Sequence, residues 1–474
     1  MQQTVIHQNK DESLNCSLQG KWLSCSFFKD MFHRAFGNKN RIAPKKPPLI
    51  LQQSEHGINP TLLSSNARRV VSILEDAGYE AYVVGGAVRD LLLGISPKDF
   101  DVATNATPEQ VRRLFRRAFV IGRRFQIVHV MFGRDLIEVT TFRKENTTTA
   151  FKDETGRLLR DNTFGSLEED ALRRDFTINA MYYNPTLETL YDFHGGIADL
   201  DNKVLRIIGD PAERYREDPV RMLRSIRFAS KLGFTIDPAT KKPIQTLAHL
   251  LENIPSARIF DETLKLLTSG HALACLTELR SQGLQHGHLP LLDVVQEQPQ
   301  ATLFAELVLE KIDTRIREEK MVSPTFLFAA LLWTQVAQKW QQYRSQGEHP
   351  HPALISAANV VLDTQAEKLA LHRRITSGMR DIWSLQPRFE RRTGKVAHSL
   401  VEHSRFKAAY DFLLLRCEAG EIDPEVAQWW GAFKNADRRA REEMLKVKPK
   451  SEAAPAKRKK KRSRRSARAA APQD

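Results

Sequence analysis

Cysteine is scarce: the 474-residue chain has four, Cys16, Cys25, Cys275 and Cys417. None stands in a CxxC pair or a Cys/His cluster, which excludes a zinc finger and a disulfide framework and points to a reducing, cytoplasmic setting. The HExxH and His-Asp patterns are both missing, so zincin and HD-type hydrolase sites are excluded. No GxxxxGKS or GxxxxGKT run occurs, which excludes a P-loop. Long apolar runs are missing as well. The longest, Phe326 to Trp333, falls far short of the ~20 residues that cross a bilayer. Acidic charge is in deficit, with 57 Asp and Glu against 72 Lys and Arg. Two thirds of the excess lies between Lys446 and Asp474, where 12 Lys and Arg meet 2 Asp and Glu. Such a tail can neutralise phosphates and gives sequence-blind, salt-sensitive affinity for RNA; otherwise it is a solubilising end.

What is present is organised around Val83 to Thr104, VVGGAVRDLLLGISPKDFDVAT. Tyr82 to Val84 reads as a short apolar strand, Gly85-Gly86 breaks it, and Ala87 to Leu93 has helical composition closed by Gly94. Glycines between a strand and a helix start allow close backbone approach to an anion such as a triphosphate, although the same pair also makes an ordinary tight turn. Asp99 and Asp101 flank Phe100. In a strand, residues two apart share a face, so both carboxylates point together while Phe100 turns into the core. Like charges held that close require a shared proton, a nearby cation or a divalent metal. Hard oxygen ligands suit Mg²⁺, with Mn²⁺ as a substitute.

Further on, Thr107-Pro108-Glu109-Gln110 is a capping box that predicts a helix to about Ala118. Strands are expected over Gln126 to Phe132 and Leu136 to Phe142, turned by Gly133-Arg134-Asp135. Glu138 shares a face with Leu136 and Thr140, where it is either solvent-exposed or a further metal ligand. Arg143 to Asn162 is polar and aperiodic and predicts a mobile loop. Ser166 to Glu169 is another capping box, opening a helix expected to carry Arg173, Arg174 and Asp175; arginine pairs suit polyphosphate oxygens. Asp218-Pro219 predicts a helix over Val220 to Leu232. On it Arg221, Arg224, Arg227 and Lys231 fall in one sector, opposite Met222, Leu223, Ile226 and Ala229.

The runs GGAVRDLLLG and KDFDVAT, then RRDFTINA at Arg173 to Ala180 and REDPVRMLRSIRFA at Arg216 to Ala229, resemble the class II nucleotidyltransferases. That family holds bacterial poly(A) polymerases and tRNA CCA-adding enzymes. The resemblance covers about Val83 to Gly233. It implies an α/β nucleotidyltransferase head, a small mixed sheet with helices, followed by an all-α neck and body. It also implies AMP transfer from ATP to RNA 3′ ends with release of pyrophosphate. By the same resemblance, Asp99, Asp101 and Asp175 are catalytic carboxylates, the first two holding Mg²⁺; Glu138 is a metal ligand only in the second of its two readings above. Gly85, Gly86, Arg89, Asp90, Arg174 and Asn179 bind the nucleotide's phosphates and ribose, and Asp218 and Arg221 read the base, with Glu217 orienting Arg221 and Arg224 and Arg227 beside them.

The Val120 to Val130 stretch VIGRRFQIVHV resembles poly(A) polymerases more than CCA-adding enzymes. With the long helical remainder and the basic tail, it favours polyadenylation over CCA addition. A dead head serving as a non-catalytic RNA-binding protein is the alternative from another class. Partners implied are RNA 3′ ends, ATP, and proteins of RNA decay or RNA chaperoning.

The expected organisation is multi-domain. Residues 1–60 read as mostly disordered, 61–210 as the head, 211–300 as a helical neck, 301–445 as a helical body and 446–474 as the disordered tail. Within the first segment, Lys21 to Phe36 carries an amphipathic pattern suited to peripheral membrane contact or a partner helix.

Overall fold

A computed structural model describes residues 47–122, 126–144, 163–284, 287, 289 and 299–446. The Lys21 to Phe36 pattern, Cys16 and Cys25, most of the loop expected over Arg143 to Asn162, and the polybasic tail beyond Lys446 lie outside the described residues. In chain order the N-terminal part comprises β1 (Leu49–Leu51), α1 (Ser65–Asp76), β2 (Ala81–Val84), α2 (Gly86–Leu92), β3 (Asp101–Thr104) and α3 (Pro108–Leu114). There follow β4 (Ala118–Ile121), β5 (Ile127–Phe132), β6 (Asp135–Thr141), α4 (Leu167–Leu172), β7 (Met181–Asn184) and β8 (Thr189–Asp192). They form one eight-stranded mixed sheet in the order β1-β8-β7-β2-β3-β6-β5-β4. Only β3 and β6 pair in parallel; every other pairing in this sheet is antiparallel.

The period of two decides which face is which. Val83, Val102, Val128, Val130 and Val139 alternate onto one face and are at most 1% exposed, packed with Val70, Leu74, Val88, Leu91 and Val111 of α1, α2 and α3. Burying each such side chain contributes roughly 1.5–3 kcal/mol, so a charge at Val102 would break the layer. The opposite face carries Tyr82, Val84, Ala103 and Tyr182, packed with Phe142 and with Ala171 of α4. Beside this smaller cluster the sheet leaves room for a cleft.

Three boundaries differ from the sequence reading. The sheet begins at Leu49, because β1 pairs with β8, so ordered structure starts before residue 61. Helix α3 stops at Leu114, and Ala118 opens edge strand β4, whose residues pair with β5 across the hairpin. Arg143 belongs to no loose segment: it is buried, bridges to Phe164, and donates from Nη2 to the Gln126 carbonyl at 2.9 Å.

After β8 come α5 (Pro211–Glu217), α6 (Val220–Leu232) and α7 (Ser256–Leu267), and helices continue to Lys446. Met222, Leu223, Ile226 and Ala229 of α6 are buried, as their spacing predicts. They enter a core that includes Phe176, Leu205, Leu276, Phe328, Trp383 and Phe412, continuous across the boundaries expected near residues 210 and 300. A second helical core gathers Leu385, Phe389, Phe406, Trp430 and Phe433. Cys275 and Cys417 are free thiols. Among the described residues no helix is long and apolar enough to cross a membrane.

Candidate active site

A cleft of about 420 Å³ opens where the sheet meets α4 and α6. Gly85 forms its floor. Its φ of +74° is left-handed, and a Cβ there would sit 3.7 Å from both Arg174 Nη1 and Asp101 Oδ2, filling the space between cation and carboxylate. Asp101 opens β3 and pairs with Val84 on one side and Glu138 on the other, so the Asp101 and Glu138 side chains project from the same sheet face. Phe100 turns into the core, as expected. Asp99 does not share the strand with Asp101. Val84, the partner of Asp101, is the last residue of β2, so Asp99 has no ladder partner and lies exposed in the approach, outside the cleft lining.

Among the described residues no hydrogen bond or ion pair reaches the Asp101 carboxylate. Burial, then Glu138 and Asp99 against the opposing pull of Arg174, pushes it up to about 6. A cation would relieve this repulsion, and carboxylate oxygens are the donor type that Mg²⁺ takes. Glu138 is turned partly toward His129, whose Nε2 stands 3.4 Å from its Oε1. Among the described residues no three His, Cys, Asp or Glu side chains gather as a metal centre.

The cationic wall comes from the end of α4. The helix stops at Leu172, so Arg173 caps it, and Arg174 and Asp175 follow it instead of riding on it. Both arginines line the cleft. Asp175 is not a free third carboxylate: Arg224 donates to its Oδ2 from Nε at 2.9 Å and Nη2 at 2.5 Å, and Phe176 N–H donates to Oδ1 at 2.8 Å. Burial opposes its charge, but Arg224 and these bonds outweigh that and hold it at about 2. Arg89 is buried, donating to Asp90 from Nε at 2.9 Å and to Asn179 Oδ1 from Nη1 at 2.8 Å. Arg89 and Asn179 line the cleft, and Asp90 is not part of the lining.

Asp218 and Arg221 close the far side. Arg221 Nη1 donates to Glu217 Oε2 at 3.1 Å and to the Arg214 carbonyl at 2.9 Å, so Glu217 orients it as the sequence implied. Arg224 lines the cleft, but Arg227 does not: its Nε donates to Glu262 of α7 at 2.8 Å. Sequence reasoning missed four supporting residues. Arg258 of α7 donates to Asp218 Oδ2 at 2.6 Å. Buried Arg214 donates from Nη2 to the carbonyls of Arg173 at 2.6 Å and Arg174 at 2.7 Å. The Phe228 ring lies under the guanidiniums of Arg89, Arg224 and Arg227 at 5.5, 5.4 and 4.3 Å. The fourth, Asp170, accepts from Tyr182, Arg173 and Arg174. Only Asp170 left a trace in the sequence, as a carboxylate three and four residues before two arginines on a helix pattern.

The chain is similar to known proteins along most of its length. The profile described as "Poly A polymerase head domain" matches residues 81–206, "Probable RNA and SrmB- binding site of polymerase A" matches 233–295, and "Polymerase A arginine-rich C-terminus" matches 346–467. The chain is 45% identical to poly(A) polymerase I of Escherichia coli O6:H1, over 86% of this chain and 90% of that protein. It is 43% identical to the CCA-adding enzyme of Levilactobacillus brevis, over only 46% of this chain and 54% of that protein. Among solved structures, the Bacillus stearothermophilus CCA-adding enzyme in complex with CTP is similar, with a TM-score of 0.51 and 27% identity over 80% of each chain.

Proposed function

The chain belongs to the poly(A) polymerase I family and is a polynucleotide adenylyltransferase, and from that premise we propose how its cleft extends RNA with ATP. The convergence of Asp101, Gly85, Arg174, Asp218 and Arg221 on one cleft carries the reading. The oxygen of an RNA 3′ hydroxyl attacks the α-phosphorus of ATP, its proton passes to solvent, the bond from the α-phosphorus to the α–β bridging oxygen breaks, and pyrophosphate leaves with that oxygen. Arg173 and Arg174 face the triphosphate, and the open Gly85 floor lets its oxygens approach the backbone. Asp101, with Asp99 at the cleft's edge, would hold Mg²⁺. When bound, the ion lowers the pKa of the attacking hydroxyl and offsets charge on the leaving group.

Asp175 fixes Arg224 at the cleft wall, accepting on Oδ2 from its Nε at 2.9 Å and its Nη2 at 2.5 Å. Asp218 accepts from the adenine amino group and Arg221 donates to a ring nitrogen, so side chains replace a template. Cytosine offers the same donor and acceptor order, so this pair by itself does not choose between ATP and CTP.

The choice is tested by supplying ATP or CTP separately to an unstructured RNA and to a tRNA lacking its CCA end. Long A-tracts on the unstructured RNA are expected. Addition confined to two C and one A on the tRNA would overturn the reading.

A further inference from the structure

Asp170 is fully buried, at 0% exposure, and nothing in the reaction as described uses it. An anion removed from water must have its lone pairs satisfied, and a buried charge carried for stability alone is a poor investment next to an apolar residue. Its surroundings are specific. Oδ1 accepts from Arg173 Nε at 2.9 Å, Arg173 Nη2 at 2.5 Å and the Arg143 backbone N–H at 3.1 Å. Oδ2 accepts from Tyr182 Oη at 2.6 Å and Arg174 Nη2 at 3.0 Å. Tyr182 accepts in turn from Arg174 Nε at 2.7 Å, and its ring underlies the Arg174 guanidinium at 5.0 Å.

On both arginines the same edge, Nε and Nη2, is turned to the carboxylate. The Nη1 corner remains. For Arg174 that corner points at the cleft floor, 3.7 Å from the position a Cβ would take on Gly85. We propose that Asp170 and Tyr182 are positioning residues that aim Arg173 and Arg174 at the ATP triphosphate before the nucleotide arrives.

The inference rests on the cleft being the ATP site. Its physical content is pre-organisation: a free arginine side chain loses rotamer freedom on gripping a phosphate, whereas one already locked along its inner edge loses little. The benefit therefore falls on the triphosphate and leaves the nucleoside untouched.

Tyr182→Phe removes one oxygen and keeps the ring; Asp170→Asn keeps the volume but turns an NH₂ toward donors. Binding of ATP and of adenosine to the full chain is measured by calorimetry, with circular dichroism to establish folding. ATP affinity should fall about tenfold in Tyr182→Phe, the size of one lost hydrogen bond to a charged network, while adenosine affinity stays put. The KM for ATP should rise with kcat little changed. Asp170→Asn, where it folds, should show the same selective loss, larger. If wild-type protein binds no ATP, the reading of the cleft itself fails. If wild type binds ATP but Tyr182→Phe leaves its affinity unchanged, or lowers ATP and adenosine binding in equal proportion, the positioning role is overturned.

Discussion

Replacing Asp101 with asparagine should stabilise the protein while ending catalysis. The structure gives the size of the effect. In the folded chain the Asp101 carboxyl is raised from 3.8 to about 6, chiefly by burial and then by Glu138. That difference corresponds to about 3 kcal/mol disfavouring the charged form. The sign follows from linkage: a carboxyl with a raised folded pKa binds its proton more tightly in the native state than in the unfolded chain. Stability therefore falls as pH rises from 3.8 to about 6, and the full penalty is present above that. Asparagine removes the charge and nearly preserves the shape. Relaxation of the side chain toward the open cleft reduces the gain, so a stabilisation of about 1–2 kcal/mol above pH 7 is the expected outcome. Thermal melts of wild type and Asp101→Asn at pH 8 and at pH 5, without divalent metal, measure it. The variant should melt higher at pH 8, and its advantage should shrink at pH 5, where the wild-type carboxyl is largely protonated. Pyrophosphate release with ATP and RNA should be lost. A variant less stable than wild type at pH 8, or equally stabilised at both pH values, would refute the electrostatic account; retained polymerisation would refute the catalytic one.

The Asp175 and Arg224 pair should behave as a unit. Asp175→Asn and Arg224→Met should each cost about 3–5 kcal/mol by stranding a partly buried charge, and the double variant should cost much less than their sum in a thermal-melt cycle. Arg258→Ala frees Asp218 from the 2.6 Å bond that fixes it. It should raise the KM for ATP several-fold and weaken discrimination against CTP, read from single-nucleotide incorporation; unchanged selectivity would leave Arg258 a surface contact. Ending the chain at Lys446 should flatten the salt dependence of RNA binding and shorten products with little effect on the KM for ATP. An unaltered salt slope would make the tail a solubilising segment.

Local chemistry was legible in the sequence. The capping boxes at Thr107 and Ser166 form with their predicted partners Gln110 and Glu169. The β5 and β6 hairpin forms around the expected turn, because alternation and a Gly-containing turn set its register, and β6 pairs with β3. The apolar side of α6 is buried residue for residue. Errors fell where a tertiary partner, and not local pattern, sets the limit. Thus α3 yields to strand pairing at Ala118, and β3 begins at Asp101 because β2 has already ended opposite it.

Arginine roles were the least legible feature, and α6 shows why. Arg224 and Arg227 are the same residue type, three positions apart, in one sector of one helix, and no periodicity separates them. Asp175, 49 residues earlier, draws Arg224 to the cleft wall; Glu262, 35 residues later, draws Arg227 to α7 and out of the lining. Both carboxylates look unremarkable in the chain, one inside a motif that suggests catalysis and the other inside an amphipathic helix. A row of cations read from sequence marks where positive charge can be delivered. Which members reach a triphosphate is decided by the carboxylates folded against them, and in this protein Asp170, Asp175, Glu217 and Glu262 make that selection.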